Sequence, residues 1–332
     1  MPQARAALRP RSFPAGQPVP ELSVVIPVYR CEGALRELHR RLVDTLSALV
    51  TSFEIVFVED GGPDRSWEVL RELAAADPRL RAVRLSRNFG QHAAITAGLA
   101  EARGARVVVM DGDLQEPPED IARLWEAAEG GHDVVLSRRR QRRQPWARRL
   151  TSRLYFAFLS LVTERRVEPG HGTLSLLSRK VVGEFLRFKD RDRHYLFIVQ
   201  WLGFRPATIE YEPSERPEGR SGYTVRSLLR LAVSGVFAYT TVFLRWIVYL
   251  GIAVSAAGLA VAVIYLYRYL VHDTVPAGFT ALALLVVVMG GFGILTTGVS
   301  ALYVGRIFEQ VKERPLFVVD ERVGGPPATA PR

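Results

Sequence analysis

The sequence predicts an α/β fold, a mostly parallel sheet flanked by helices, followed by helices embedded in a membrane. Three observations carry that expectation. Between residues 22 and 136, short apolar runs alternate with segments of helical period, the order that builds a parallel sheet with crossover helices. Two later stretches, Trp246–Tyr267 and Gly278–Val304, contain no charged residue, and roughly 20 apolar residues span a bilayer core. Asp111-Gly112-Asp113 closes the apolar run before it, and the carboxyl ends of strands are where open α/β sheets bind ligands.

Taken in order, Leu22–Pro27 reads as a first strand and Ala34–Leu49 as a helix, with Leu35, Leu38, Leu42, Leu46 and Leu49 on one face. Phe53–Val58 is a second strand. It is closed by Glu59-Asp60-Gly61-Gly62-Pro63-Asp64, a turn of carboxylates and residues tolerant of positive φ. Ser66–Ala76 reads as a helix, Leu80–Leu85 as a third strand, and His92–Ala102 as a third helix. Val107–Met110 is continuously apolar, as a buried parallel strand is, and Asp133–Ser137 adds another strand. Arg148–Val162 and Arg226–Leu244 each begin basic and turn apolar, a pattern suited to the headgroup region of an anionic leaflet. The domain expectations are a disordered tail over 1–20 and a catalytic domain over 21–225, with an interfacial helix near 148–163. A juxtamembrane helix over 226–245, a transmembrane hairpin over 246–304 and a tail over 305–332 follow.

The chain has 332 residues and a formal charge of +10. Nucleic acid and membrane are the two partners such a balance suggests, and the uncharged stretches favour the membrane. The spans are taken as 246–267 and 278–304. Arg220, Arg226, Arg230 and Arg245 precede the first, and Arg306, Lys312 and Arg314 follow the second. Positive residues stay cytoplasmic, which puts both termini and the catalytic domain on that side of the inner (plasma) membrane in a multi-pass arrangement. The single cysteine, Cys31, excludes an intramolecular disulfide and any Cys-based metal cluster. Gly290, Gly291 and Gly293 give a small-residue face suited to self-association as a homo-oligomer.

In extended chain just past a strand, residues two apart project to the same side, so Asp111 and Asp113 converge. A hard cation such as Mg²⁺ or Mn²⁺ takes one or two carboxylates and completes its shell with substrate phosphates.

Several segments together resemble family 2 glycosyltransferases of the GT-A fold. They are Ser23-Val24-Val25-Ile26-Pro27-Val28-Tyr29, Val58 to Asp64, Leu85-Ser86-Arg87-Asn88-Phe89-Gly90-Gln91-His92 and Asp111 through Pro118, with Gly305 to Pro315 in the tail. The last three are similar to the subgroup that acts on polyprenyl phosphates, including the bactoprenol glucosyl, dolichyl-phosphate mannosyl and undecaprenyl-phosphate 4-deoxy-4-formamido-L-arabinose transferases. The resemblance implies a Rossmann-like GT-A domain that transfers one sugar from a UDP- or GDP-linked donor to undecaprenyl or dolichyl phosphate, with inversion. It also implies that the lipid-linked product serves cell-envelope glycan or lipid modification.

By that resemblance Asp113 is the direct metal ligand, Asp111 contacts ribose or metal, and Gln115 lies near the sugar or phosphates. Pro27, Tyr29, Glu32 and Asp60 would hold base and ribose. Arg138, Arg148 and Ser152 would take the acceptor phosphate, and Arg216 and Ser221 would belong to a loop closing over the donor diphosphate. Where many relatives carry an Asp proposed as base, the matching stretch reads Gly172-Thr173-Leu174-Ser175, so no base is assigned. Two other readings remain: a catalytically degenerate membrane scaffold, and a processive polysaccharide synthase. The sequence names neither the sugar nor the nucleotide.

Overall fold

The computed structural model describes residues 19–139, 171–188, 190, 193–211 and 278–325, with some positions between 247 and 271. Residues 1–18 of the tail expected over 1–20, the helices near 148–163 and 226–245, and much of the first span lie outside the described residues. The chain divides into two compact units: residues 1–144, 168–221 and 314–332 form the first, and 145–167 with 222–313 the second.

The first unit is a sheet with helices on both faces. In chain order it contains β1 (Leu22–Val28), α1 (Leu35–Leu49), β2 (Phe53–Glu59), α2 (Ser66–Ala76), β3 (Leu80–Leu85), α3 (Gln91–Glu101) and β4 (Arg106–Val109). After these come α4 (Ile121–Glu129), β5 (Val134–Arg139), β6 (His171–Ser178), α5 (Arg179–Arg187), α6 (Tyr195–Trp201) and β7 (Pro206–Tyr211). The first seven match the sequence expectation to within a residue or two at each end. The eight strands order as β7-β5-β6-β4-β1-β2-β3-β8, where β8 is Val319–Gly324. All adjacent pairs are parallel except those made by β6 and β8.

Alternate residues of a strand face opposite ways, and the core divides accordingly. Val24, Ile26, Ile55, Phe57 and Val108 pack with α1, α2 and α4 on one face. Val25, Val56, Val58, Val107 and Val109 pack with α3, α5 and α6 on the other. All seven residues of β1 are buried, which is why its sequence is a run rather than an alternation. Gly98 lets α3 lie close against the sheet, because a Cβ there would sit 2.3 Å from Val25 Cγ1. The chain runs outward through β2 and β3 and returns to place β4 beside β1. That reversal opens a crevice at the carboxyl ends of β1 and β4, the position at which such sheets take ligands.

The tail expected over 305–332 contains an element the sequence did not reveal. After Lys312 the chain re-enters the first unit, buries Phe317 and adds β8 antiparallel to β3. Trp67 Nε1 donates to Glu321 at 3.1 Å and Arg322 Nε to Glu101 at 3.1 Å, tying the strand down from both sides.

In the second unit, α7 runs over Phe279–Val311. It starts where the second span was expected and continues past Val304. Its 33 residues extend about 50 Å at 1.5 Å per residue, longer than the hydrocarbon core of a bilayer. Met289–Val311 is long and apolar enough to cross a membrane, the one such helix among the described residues. Leu282, Leu285, Val286, Ile294 and Val304 are exposed along it. Tyr249–Gly258 is a shorter apolar helix within the expected first span.

Candidate active site

Three strand ends converge at the crevice. β1 continues into Tyr29-Arg30-Cys31-Glu32, β2 into Asp60–Asp64, and β4 into Asp111–Gln115. The turns are stitched to one another by side chains. Glu32 N donates to Asp64 Oδ2 at 3.1 Å, and Arg65 N donates back to Glu32 Oε2 at 3.1 Å. Ser66 Oγ donates to the same Asp64 oxygen at 2.8 Å. Glu32 therefore spends one carboxylate oxygen on the backbone while remaining exposed. Tyr29 is 42% exposed beside it, and Pro27 is buried within β1.

Asp60, expected by the resemblance to hold base or ribose, also has a structural engagement. It is buried, and its two carboxylate oxygens accept the backbone N–H groups of Phe89 at 2.7 Å and Gly90 at 2.8 Å. Burial pushes its pKa up, and these two hydrogen bonds pull against that. Asp60 thus clamps the segment entering α3. Gly61, at φ +61°, allows the close approach: a Cβ there would lie 2.5 Å from the Arg87 carbonyl carbon.

The Asp111–Asp113 pair is held from several directions. Met110 N donates to Val25 O at 3.1 Å. Gln91 Nε2, in the first turn of α3, donates to Asp111 Oδ1 at 2.7 Å. Asp113 Oδ1 accepts from Gln115 N at 3.1 Å, closing a short turn. Leu114 sits inside that turn at φ +60°, a left-handed conformation that strains a branched residue. Its side chain is buried, which fixes the conformation. Both aspartates are part-exposed. Two carboxylates at the open end of a strand supply the hard oxygen donors that Mg²⁺ or Mn²⁺ prefers. Among the described residues no group of three or more His, Cys, Asp or Glu could hold a metal. A cation held by two carboxylates has further positions that water or substrate phosphates fill.

Glu116, quoted in the motif but given no role from sequence, lies behind the pair. It is 3% exposed. Asp111 N donates to its Oε2 at 3.0 Å and Leu174 N to its Oε1 at 2.9 Å. Burial, followed by the nearby charge of Asp111, raises its pKa to about 8. Leu174 belongs to the 172–175 stretch that lacks the expected Asp. Ser175, in the same stretch, has its Oγ 2.7 Å from Tyr195 Oη of α6. This buried polar packing gives the stretch a structural place.

The rings of His92 and His194 meet at a tilt of 47° with centroids 4.4 Å apart. Tyr195 N donates to His92 Nδ1 at 3.4 Å, so that nitrogen is the unprotonated one. Burial, then His194, lowers the His92 pKa to about 4. A base whose folded pKa lies below its unfolded value of about 6.5 is neutral at no cost above 6.5. Its stabilising contribution is lost as pH falls from about 6.5 to 4. The loss is at most about 3 kcal/mol. Thermal melts in that window should show a shallower acid slope for His92→Gln than for wild type.

Arg138 lies in β5, paired in register with His171 of β6. Arg148, Ser152, Arg216 and Ser221 fall outside the described residues. The structure thus brings together Tyr29, Glu32, Asp60, Asp111, Asp113 and Gln115, and adds Gln91, Glu116 and Cys31. Gln91 and Glu116 sit inside the segments that carried the family resemblance, so the signal was present without an assigned role.

The profile of glycosyl transferase family 2 matches residues 23–186. A Bacillus subtilis protein described as the uncharacterized glycosyltransferase YkcC is 34% identical, over 92% of this chain and 94% of that one. The undecaprenyl-phosphate 4-deoxy-4-formamido-L-arabinose transferases of Proteus mirabilis and Pseudomonas paraeruginosa are 33% and 36% identical. Those alignments cover 92% and 95% of this chain, and 94% of each relative.

Proposed function

Because the chain belongs to glycosyl transferase family 2 and is a glycosyltransferase, we propose that it transfers a single sugar from a UDP- or GDP-linked donor to a polyprenyl phosphate at the cytoplasmic leaflet of the membrane. The observation that carries this reading is the Asp111–Asp113 pair, held at the crevice where β4 returns beside β1. The acceptor class is carried over from the relatives named for undecaprenyl phosphate, similar along nearly the whole chain. The apolar helix α7 is compatible with a lipid acceptor.

The residues divide the work as follows. The exposed Tyr29 and Glu32 at the end of β1 flank the space for the nucleoside. Asp60 shapes that space indirectly, through the Phe89–Gly90 backbone it holds. Asp111 and Asp113 would hold Mg²⁺ or Mn²⁺ against the donor diphosphate, where the ion stabilises the negative charge that develops on the leaving nucleotide. Gln91 fixes one oxygen of Asp111, so the pair needs little rearrangement when substrate arrives. Attack by the acceptor phosphate oxygen, in line with the departing nucleoside diphosphate, inverts the anomeric carbon. A phosphate monoester with its second pKa near 6 is already largely deprotonated at pH 7. The nucleophile then needs no carboxylate base, consistent with Gly172-Thr173-Leu174-Ser175. Arg138, Arg148 and Ser152 are proposed for the acceptor phosphate, and Arg216 and Ser221 for the donor diphosphate.

The test is radiolabel transfer from a panel of UDP- and GDP-sugars to undecaprenyl phosphate with Mg²⁺ or Mn²⁺. A lipid-extractable product is expected from one donor. Product on a different acceptor, with none on polyprenyl phosphate, would overturn the acceptor assignment.

Cys31 gives an independent check on where the donor binds. It is the only cysteine. A Cβ on Gly112 would lie 3.7 Å from its Sγ, so it stands between the nucleoside turn and the aspartate pair. Burial raises its thiol pKa, and Asp113, Asp64 and Asp111 add to the effect, so labelling should be slow near neutrality. Maleimide modification is expected to abolish transfer, and UDP or GDP with Mn²⁺ to protect. Full activity of stoichiometrically labelled protein would place the donor elsewhere.

A further inference from the structure

We propose that Glu116 is a positioning residue for the transfer reaction, tying the backbone of Asp111 to strand β6 so that the aspartate pair is already in place when the metal-bound donor arrives. The inference rests on the metal-and-donor reading of Asp111 and Asp113. It goes further by naming what holds them.

The geometry is that of a cross-link. One carboxylate accepts from two backbone N–H groups on different elements: Asp111 N at 3.0 Å and Leu174 N at 2.9 Å. These donors lie 58 residues apart from Glu116 on one side and 5 on the other, so a local turn is joined to a distant strand. The side chain is almost fully buried, and a buried acceptor bonded to two partners is costly to disturb. With Gln91 on its side chain and Glu116 on its backbone nitrogen, Asp111 is restrained at both ends. Its two-residue spacing carries that restraint to Asp113. The same carboxylate sets the height of Leu174, and therefore of the 172–175 stretch. Gly172 makes room for it: a Cβ there would lie 2.9 Å from Glu116 Oε1 and 2.8 Å from Tyr211 Oη. Groups that orient metal ligands typically change metal affinity or activity about 10–100-fold when removed.

The measurement is Mn²⁺ affinity in the presence of UDP or GDP, by electron paramagnetic resonance on the detergent-purified full chain. Wild type, Glu116→Gln and Asp113→Ala are compared. Glutamine keeps the volume but offers one oxygen and one amide NH₂, so one of the two backbone donors faces another donor. Glu116→Gln is expected to weaken Mn²⁺·nucleotide binding at least tenfold, and transfer at limiting metal should recover as Mn²⁺ is raised. A purely structural role would lower the melting temperature without a metal-dependent rescue. Unchanged affinity in folded Glu116→Gln, with affinity lost in Asp113→Ala, would overturn the role of Glu116 and leave the site intact. Unchanged affinity in both would overturn the metal-site reading and this inference with it. Should Glu116→Gln fail to fold, Glu116→Asp keeps the carboxyl group and shortens the reach, and its affinity decides the same question.

Discussion

Asp113→Ala is expected to reduce sugar transfer by about three orders of magnitude or more while leaving the protein folded. Its carboxylate is part-exposed, and the hydrogen bond it accepts within the motif, from Gln115 N, closes a local turn. On the proposed mechanism the substitution removes one of two hard donors for the ion that would neutralise the leaving diphosphate. Deleting one charge-stabilising group typically costs a factor of about 10²–10³, and losing the ion as well exceeds that. Asp113→Asn separates the two contributions: it keeps the shape and an oxygen but not the charge, and should retain a small activity that rises with Mn²⁺. The readout is lipid-extractable radiolabel, with melting temperature measured in parallel. Wild-type transfer by folded Asp113→Ala would remove the aspartate pair from the mechanism.

The parts of this site legible in the sequence were those where one residue type in one local pattern has one physical meaning. The position of Asp-Gly-Asp is such a case, since the continuous apolar run before it does form β4. So is the leucine spacing of α1, whose Leu35, Leu38, Leu42 and Leu46 are all buried. The parts that stayed hidden depend on partners distant in the chain. The family resemblance implies a nucleotide contact for Asp60, and it announces nothing of the backbone clamp the same carboxylate makes. Its oxygens are taken by N–H groups at 89 and 90, a pairing that no local pattern announces. β6 and β8 were hidden for another reason. β8, with its burial alternating between exposed and intermediate, carries Asp320, Glu321 and Arg322 and reads as a solvated tail. It becomes a strand because β3 offers it an edge, and tertiary context of that kind outweighs propensity.

Glu54 is the site of the largest stability effect, and it too has a meaning that only the assembled sheet reveals. In sequence it is one charged residue near the start of β2. In the structure it is 2% exposed at the end of the sheet opposite the aspartate pair. Ser23 Oγ donates to its Oε1 at 2.7 Å and Arg103 N at 2.6 Å, while Arg103 Nε reaches Oε2 at 2.9 Å. Arg81 Nη1 lies 3.7 Å from the same oxygen. Arg81 also pairs with Glu101, which pairs with Arg322 of β8, so the carboxylate anchors a network running from β1 to the returning strand. Removing one member of a buried ionic cluster leaves the opposite charges short of a partner, at a cost of about 3–5 kcal/mol. That is a large share of the 5–15 kcal/mol by which a domain is stable. Glu54→Ala is therefore expected to lower the denaturation midpoint steeply and to yield little folded protein. Glu54→Gln, which keeps the hydrogen bonds from Ser23 and the Arg103 backbone, should lose less. In whatever fraction of either variant folds, Mn²⁺·nucleotide affinity should match wild type, since the aspartate pair is fixed by Gln91 and Glu116 at the other end of the sheet. A variant that folds normally but binds the metal weakly would show the two ends to be coupled, contrary to this reading.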